Sequence, residues 1–284
     1  MPDTLDPKAM GSRRFVGKVG VVGGAGQGIG RATARRLAAE GAAVVVADQV
    51  DATAQRVVQE IQDHDEQAVA FVGDLRDRET CAALMQMAVD SFGRLDCLAC
   101  IAGGNLWTKH YHLMTPEQIE ASILKNMWPT MWMTYAAVPI MVKQKSGSIV
   151  NIATHAVVNS GHVPYATAKG GLISMTLSLS KEVAKDGVRV NIVAPAHSRS
   201  DEPDDRLTPS LYGVDVRGED DDSEEGQGEE GPEMAEMRRR ITVPMGRRGT
   251  MIEQAAAIAF LLSEDASYIT GQILPVNGGA TYPF

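Results

Sequence analysis

Short apolar segments alternate with longer segments of mixed character along most of the chain. The short segments have the length and composition of buried strands, and they cover residues 19–23, 42–48, 68–75, 95–103, 147–153, 188–195 and 272–279. The longer segments have apolar residues at helical spacing, and they cover residues 28–41, 51–65, 77–91, 116–143, 165–187 and 251–265. Uniformly apolar strands alternating with helices are typical of a parallel sheet covered on both faces. The pattern therefore predicts an α/β fold with a doubly wound parallel sheet of seven strands.

One segment, residues 199–237, breaks this alternation. It is poor in apolar residues, and residues 201–236 contain 15 Asp and Glu against two Arg. Such a composition cannot bury enough apolar surface to offset its ordering entropy. Two interpretations are open: a solvated acidic insert, or a lid whose ends order over a ligand. Because no second set of strands and helices follows, we expect a single catalytic domain over 14–284, preceded by a flexible tail at 1–13.

Charge and cysteine content narrow the function classes. The net charge of −9 comes from the acidic segment, since the rest of the chain is slightly positive and has no basic stripe of the kind that binds nucleic acid. No apolar run approaches the roughly 18 residues of a membrane span, and the N-terminus lacks an apolar leader. The few cysteines then favour a reducing, cytoplasmic location. Cys97 and Cys100 lie three residues apart in a predicted strand, on opposite faces, which favours structural thiols over a metal or redox pair.

A cluster of glycines lies between the first predicted strand and the first predicted helix. Gly24, Gly28 and Gly30 give the spacing G-x-x-x-G-x-G. Glycines there permit a tight turn and close backbone approach, and the helix N-terminus offers N–H groups and partial positive charge to a phosphate. Asp48 ends the second strand, where a carboxylate can accept from the ribose hydroxyls of adenosine and would repel a 2′-phosphate. Gln27 and Gln49 add no nearby cation, so we expect NAD rather than NADP.

Tyr165 and Lys169 are four residues apart on a predicted helix, so their side chains share one face. A nearby ammonium stabilises a phenolate and lowers the tyrosine pKa from its ordinary value of about 10. Such a tyrosine can act as a general base toward an alcohol. The spacing alone also fits ordinary helix packing, so the pair needs support from other motifs.

That support comes from a resemblance to the short-chain dehydrogenase/reductase family over about residues 14–280. The matching motifs are the turn at 23–30, Asp74-Leu75, Asn126, SIVNIAT at 148–154, Tyr165 with Lys169, Pro195 and YITGQILPVNGG at 268–279. The resemblance implies a Rossmann-type fold, a nicotinamide cofactor and a homotetramer with 116–143 and 165–187 as candidate contact helices. It implies catalytic roles for Tyr165, Lys169, Thr154 and Asn126. The cofactor contacts it implies are Gly24, Gln27, Gly28, Ile29, Gly30, Asp48, Asp74, Leu75, Cys100, Ala102, Gly103, Tyr165, Lys169, Pro195 and Ser198.

In the mechanism implied by this resemblance, Thr154 and Tyr165 bind the alcohol oxygen, and Tyr165 takes its proton as hydride leaves for the nicotinamide. Lys169 lowers the tyrosine pKa and holds the nicotinamide ribose, while Asn126 and water return the proton to solvent.

The chain departs from the family pattern at several positions. Gly23 stands where the family has threonine, Cys100 where it has an asparagine that braces the fourth strand, Thr154 where it has the catalytic serine, and Ala196 where it has glycine. These changes keep open a weakly active NAD-binding regulatory protein. An NAD(P)H-dependent carbonyl reductase is a further alternative.

Within the family, the chain is most similar to the cis-dihydrodiol carboxylate dehydrogenases, which oxidise dihydroxycyclohexadiene carboxylates to catechols. HVPYATAKGG at 162–171, NMWPT at 126–130 and EDASYITGQILPVNGG at 264–279 carry this likeness. Residues 154–165 contain no arginine, so a substrate carboxylate would need His155, His162, Arg199 or Lys109. No carboxylate pattern accompanies His110 and His112, so we expect rim or surface residues and no metal.

Overall fold

The computed structural model describes residues 13–158, 160–196, 198–199 and 243–280. The acidic segment 201–236 and all but the last residue of the predicted tail 1–13 lie outside this range, so their predicted states stay predictions. Within the described part of the chain, no helix is both long and apolar enough to cross a membrane.

Seven parallel strands form the central sheet. They are β1 (Val19–Gly23), β2 (Ala43–Asp48), β3 (Ala68–Val72), β4 (Cys97–Cys100), β5 (Gly147–Ile152), β6 (Val188–Pro195) and β9 (Ile273–Val276). Their order is β3-β2-β1-β4-β5-β6-β9, and every neighbouring pair is parallel. Two short strands missed in the sequence, β7 (Ser198–Arg199) and β8 (Gly249–Thr250), pair apart from this sheet. The predicted seven-stranded, doubly wound sheet is confirmed.

Helices cover both faces of the sheet. They are α1 (Gly28–Ala39), α2 (Asp51–Gln62), α3 (Arg78–Phe92), α4 (Pro116–Gln144), α5 (Val163–Val183) and α6 (Met251–Leu262). One apolar core contains side chains of α1, α2 and α6, and another contains side chains of α3 and α4. Cys97 belongs to the first core and Cys100 to the second, so the two thiols do lie on opposite faces. Burial raises the pKa of each thiol to about 12, which leaves both unreactive.

Element ends differ from the predictions where a turn interrupts an apolar run. The strand predicted at 95–103 is only Cys97–Cys100, because the chain turns away at Gly103 and Gly104, whose φ angles are 143° and 139°. The strand predicted at 68–75 stops at Val72, because Asp74 starts a turn whose carbonyl accepts from the Asp77 N–H.

Two helices show how local sequence sets their ends. A reciprocal capping box between Thr115 and Gln118 fixes the start of α4, as the Thr-Pro pair predicts. The helix predicted at 165–187 starts two residues earlier, at Val163, and ends at Val183 before a 3₁₀ turn over 184–186. Because all the main strands are parallel, the loops after β1, β4 and β5 meet at one edge, where open α/β sheets bind ligands.

Candidate active site

The turn between β1 and α1 leaves no room for a side chain at Gly24 and Gly30. Gly24 has φ 77°, and a Cβ there would lie 2.7 Å from the Ala102 backbone. A Cβ on Gly30 would overlap the carbonyl oxygen of Gly24. Gly28 has φ 54°, and a Cβ there would meet no described atom within 4 Å, so this residue borders open space. A backbone cradle that opens at a helix N-terminus fits the pyrophosphate of a dinucleotide.

Gln27 and Ile29 complete this turn. Gln27 is the residue that precedes α1, and its carbonyl accepts from the Arg31 N–H at 3.0 Å. Ile29 packs partly buried against the apolar core under α1. Both residues therefore help to set the start of the helix that would face the phosphates.

Asp48 is held at the end of β2 by two backbone donors. Its Oδ2 accepts from the Gly26 N–H at 2.9 Å and its Oδ1 from the Val50 N–H at 3.1 Å. The carboxylate is thus fixed beside the turn, as required for a ribose contact. The sequence argument considered Gln27 and Gln49, and the structure brings a cation from further along the chain, because the Arg56 guanidinium donates to the Gly26 carbonyl at 3.2 Å. Arg56 lies eight residues beyond Asp48, on α2, and no turn motif pointed to it.

Asp74 and Leu75 follow β3 on the predicted adenine side. The Arg76 guanidinium donates to both carboxylate oxygens of Asp74, at 2.6–3.0 Å, and holds the pKa of that carboxyl below its usual range. Leu75 is buried and faces Gly23. The contact of Arg76 with the Asp74 carboxylate was not predicted, because the sequence does not show in which direction a neighbouring charged side chain points.

The family departures at Gly23 and Cys100 fall in one packed region under the turn. A Cβ on Gly23 would overlap the Met133 thioether, so Met133 of α4 fills the space that a threonine side chain would need. Cys100 is fully buried, and its Sγ lies 3.8 Å from Thr134 Oγ1 on the same helix. Contacts with α4, apolar from Met133 and weakly polar from Thr134, thus occupy the positions of the missing threonine and asparagine at the carboxyl ends of β1 and β4.

Tyr165 lies in the first turn of α5, and Thr154, two residues after the end of β5, is near enough to lower the pKa of its phenol. Thr154 is buried, and it supplies the hydroxyl expected from the family's serine. Burial raises the pKa of Tyr165 above its ordinary value, and the Thr154 side chain acts in the opposite direction. A net lowering of this pKa by Lys169, which the sequence predicted, is therefore not seen, because burial of the phenol outweighs the effects that lower it.

Lys169 is almost completely buried, with 2% of its surface exposed. Its Nζ donates to the Ile152 carbonyl oxygen at 2.9 Å. Burial lowers the pKa of this ammonium to about 8. A Cβ on Gly103 would lie 3.3 Å from Nζ and 2.8 Å from Asn126 Oδ1, so the loop after β4 passes close to both side chains.

Asn126 is fully buried on α4, and its side chain holds the backbone of Gly104. Its Oδ1 accepts from the Gly104 N–H at 2.8 Å, and its Nδ2 donates to the Gly104 carbonyl at 3.1 Å. Nδ2 also donates to the Ser122 carbonyl one turn earlier at 2.9 Å. The structure thus brings Asn126, Lys169, Tyr165 and Thr154 together through the loop after β4 and the end of β5.

The structure gives contacts for only some of the predicted substrate residues. His155 Nδ1 lies 3.3 Å from the Pro195 carbonyl, at the end of β6. The His162 ring lies with its centroid 6.5 Å from that of Tyr165. The side chain of Arg199 lies outside the described residues. Ser198, a predicted cofactor residue, has its Oγ 3.5 Å from the Ala196 carbonyl. Contacts of His155, His162 and Arg199 with substrate, and of Ser198 with cofactor, stay predictions.

Comparison with known proteins identifies the family of the chain. A family model described as short chain dehydrogenase matches residues 18–205, and one described as Enoyl-(Acyl carrier protein) reductase matches residues 223–281. The chain is 36% identical to a 1,6-dihydroxycyclohexa-2,4-diene-1-carboxylate dehydrogenase of Pseudomonas putida, over 94% of each chain. It is 34% identical to the enzyme of the same name from Acinetobacter baylyi, over 94% of this chain and 98% of that one.

A solved 7α-hydroxysteroid dehydrogenase, complexed with NADH and 7-oxo glycochenodeoxycholic acid, has a similar fold. It superimposes with a TM-score of 0.79 and is 29% identical over 95% of this chain and 96% of its own. With the glycine turn, the Tyr165–Lys169 spacing and the sheet order, these matches settle the family. The chain belongs to the short chain dehydrogenase family.

Proposed function

We propose that the protein is an NAD-dependent dehydrogenase that oxidises a secondary alcohol, and that its substrate is a cis-dihydrodiol carboxylate of aromatic degradation. The oxidoreductase class and a nicotinamide cofactor follow from the family. The observation that carries the proposal is the meeting of buried Thr154 with the Tyr165 phenol, at the start of the helix that carries buried Lys169 one turn later. Both hydroxyls can contact one substrate oxygen at the edge where the glycine turn opens.

The chain's residues divide the chemistry between them. Thr154 and Tyr165 hold the substrate hydroxyl, and the Tyr165 oxygen takes its proton. The nicotinamide, when bound, accepts the hydride from the substrate carbon. The Lys169 ammonium favours the tyrosinate electrostatically, and Asn126 keeps the loop that borders Lys169 in place. Burial raises the pKa of Tyr165 and so disfavours the tyrosinate. Transfer of the substrate proton to Tyr165 therefore depends on positive charge near the phenol.

A ring carboxylate on the substrate determines what becomes of the oxidised product. Oxidation of the hydroxyl next to the carboxylate-bearing carbon produces a β-keto acid. Loss of CO₂ from that acid and enolisation give a catechol, with no oxidant beyond the nicotinamide. Lys109, His155, His162 and Arg199 are the candidate partners of the carboxylate. Support for this substrate class is the likeness to two relatives named for such a compound.

The preference for NAD over NADP rests on Asp48. Its carboxylate is fixed by two backbone N–H groups and would repel a 2′-phosphate. Arg56, on the other side of Gly26, weakens that discrimination, so both cofactors belong in the test. A carbonyl reductase remains the second candidate, because the same site works in either direction and a related 3-oxoacyl-[acyl-carrier-protein] reductase of Thermotoga maritima is 32% identical.

We also propose a homotetramer in the cytoplasm. Trp128 and Trp132 stack along α4 with centroids 5.1 Å apart, and Tyr135, which is 64% exposed, meets Trp132 edge-on. An aromatic stripe of this kind supports α4 as a subunit contact. The three buried, free thiols suit a reducing compartment. Light scattering of the full chain gives the subunit number directly.

A turnover assay tests the proposed function. Purified protein is mixed with NAD or NADP and cis-dihydrodiols with and without a ring carboxylate, and reduced cofactor is followed by absorbance. We expect turnover of carboxylated diols with NAD. Tyr165→Phe should lower turnover by roughly a thousandfold and keep NAD binding, because only the proton acceptor is lost. Tyr268→Phe is the matched control, since Tyr268 is fully exposed at the amino ends of the strands.

Two outcomes would contradict the proposal. Unchanged turnover in Tyr165→Phe would show that Tyr165 is not the proton acceptor. NAD binding without turnover of any diol or other secondary alcohol would favour the regulatory alternative.

A further inference from the structure

His162 immediately precedes α5, and its ring joins two loops. Nδ1 lies 2.8 Å from the Ser160 carbonyl oxygen, and Nε2 lies 3.3 Å from Thr108 Oγ1. A carbonyl oxygen only accepts, so Nδ1 carries the hydrogen in the first contact. The neutral ring then accepts at Nε2, and the Thr108 hydroxyl donates to it. Asn105 Nδ2 in turn donates to Thr108 Oγ1 at 3.1 Å, so the hydrogen bonds form one directed chain.

The backbones of the same two loops also meet. The Lys109 N–H donates to the Gly161 carbonyl at 3.0 Å. Gly161 has φ 77°, and a Cβ there would lie 3.3 Å from Thr108 Cγ2. Glycine at this position therefore suits both the backbone conformation and the close approach of the loop.

The loop after β4 is anchored at its other end by the catalytic set. Asn126 holds both backbone groups of Gly104, five residues before Lys109. Residues 104–109 thus connect Asn126 on α4 with the residue that precedes α5. Tyr165 lies in the first turn of that helix, so any shift of its N-terminus moves the phenol.

The first turn of α5 has no side-chain cap. Within the described residues, His162 makes no capping hydrogen bond to the helix, and Pro164 favours a helix start but contributes no N–H that could bind a neighbouring group. Contacts made by the preceding loop therefore help to fix where this first turn lies.

We propose that Thr108 and His162 form a clasp that positions the Tyr165 phenol against Thr154 by fastening the loop 104–109 to the N-terminus of α5. Both are then positioning residues, and neither needs to contact the substrate. The inference rests on the proposed role of Tyr165 as proton acceptor.

Two shape-conserving variants test the clasp. Thr108→Val removes the hydroxyl, and His162→Phe removes both ring nitrogens. In each, kcat should fall about tenfold for carboxylated and uncarboxylated diols alike, because misplacement of a catalytic group slows every substrate. KM and the Kd for NAD should change less than about twofold. Because both changes break the same contact, the double variant should be no slower than the worse single variant.

Thr167→Val is the matched control. The Thr167 hydroxyl, two residues after Tyr165, donates only within the helix, to the Val163 carbonyl at 2.8 Å. Its kcat should stay at the parent value.

Hydrogen exchange of the full chain, without substrate, gives a readout independent of turnover. The amides of 166–169 should exchange faster in both clasp variants, and those of 173–183 should not change. If the parent protein oxidises no diol, the proposed function fails but this comparison still decides the clasp.

Three results would overturn the clasp. These are unchanged exchange at 166–169, unchanged kcat in both variants, and a rise in KM confined to carboxylated diols in His162→Phe. The last would place His162 on the substrate.

Discussion

The amino ends of β1, β4, β5 and β6, here called the amino edge, surround a cavity of about 480 Å³, and the charged side chains around it have ion-pair or hydrogen-bond partners. Arg14 binds Glu40, Lys18 approaches Glu264, and Arg189 donates to carbonyls at the end of α6. At the carboxyl ends of the same strands, Lys169 is buried with only a carbonyl as its described partner. One sheet thus has an amino edge where several charges are paired and a carboxyl edge where, among the described residues, a buried ammonium donates to a carbonyl and forms no described ion pair.

The difference shows in the direction of the pKa shifts. At the amino edge, hydrogen bonds from Arg14 and Arg36 lower the pKa of the Glu40 carboxyl against its burial, so the charged form is favoured. At the carboxyl edge, burial lowers the pKa of Lys169 to about 8 and raises that of Tyr165, so the charged forms are disfavoured. The scaffold therefore favours charge on Glu40 and disfavours it on Lys169 and Tyr165. The difference belongs to these side chains and not to every charge at each edge, because burial also lowers the pKa of Arg189 at the amino edge.

Lys169→Met is the change with the largest expected effect. Turnover should fall by roughly a thousandfold, because the ammonium that favours tyrosinate is lost. The folded protein should become more stable at pH 7, by up to about 3 kcal/mol, since a buried ammonium with a pKa near 8 is replaced by an apolar chain.

The sign of this effect can be tested by pH. The unfolded chain binds the Lys169 proton more tightly, so parental stability should rise as pH increases from about 8 to 10, and the advantage of the variant should shrink. Urea unfolding at pH 7 and pH 10 measures both differences. A variant less stable than the parent at pH 7 would contradict the inference that the buried charge of Lys169 destabilises the fold while the paired charge of Glu40 stabilises it.

Gly30→Ala tests the backbone cradle at the carboxyl edge. The new Cβ would overlap the Gly24 carbonyl, so the turn must shift and the Kd for NAD should rise about a hundredfold. Gly170→Ala is the control, because a Cβ on that helical glycine meets no described atom within 4 Å. Titration calorimetry should show NAD binding unchanged in the control.

Glu40→Gln tests the amino edge and should have the smallest effect on activity. It removes a buried charge that accepts from Arg14 Nε at 2.6 Å and also from Arg36. Stability at pH 7 should fall by about 2 kcal/mol while kcat and KM stay constant. Parental stability from Glu40 should be lost as pH falls below its depressed pKa.

Glu264→Gln gives the reference for this comparison. Its carboxylate is 73% exposed, so thermal unfolding should show almost no change. A loss of activity in Glu40→Gln would mean that the two edges are coupled.

Most of the fold could be predicted because strand and helix periods are local properties. The predictions failed at Gly103 and Gly104, where the apolar run continues after the strand has ended. The site was predictable where residues act by spacing, as Tyr165 and Lys169 do. Three contacts of the site join segments that are distant in the sequence. They are those of Asn126 with Gly104, Arg56 with Gly26 and Thr108 with His162. No local sequence pattern predicts such contacts.

The packing of Met133 against Gly23 also links the residues that these two positions can hold. A side chain at position 23 would need the place of the Met133 thioether, the end of a flexible side chain that would have to move. A smaller residue at 133 would leave a void between β1 and α4 until position 23 gained a side chain. Because the two positions share one volume, we expect them to change together among relatives.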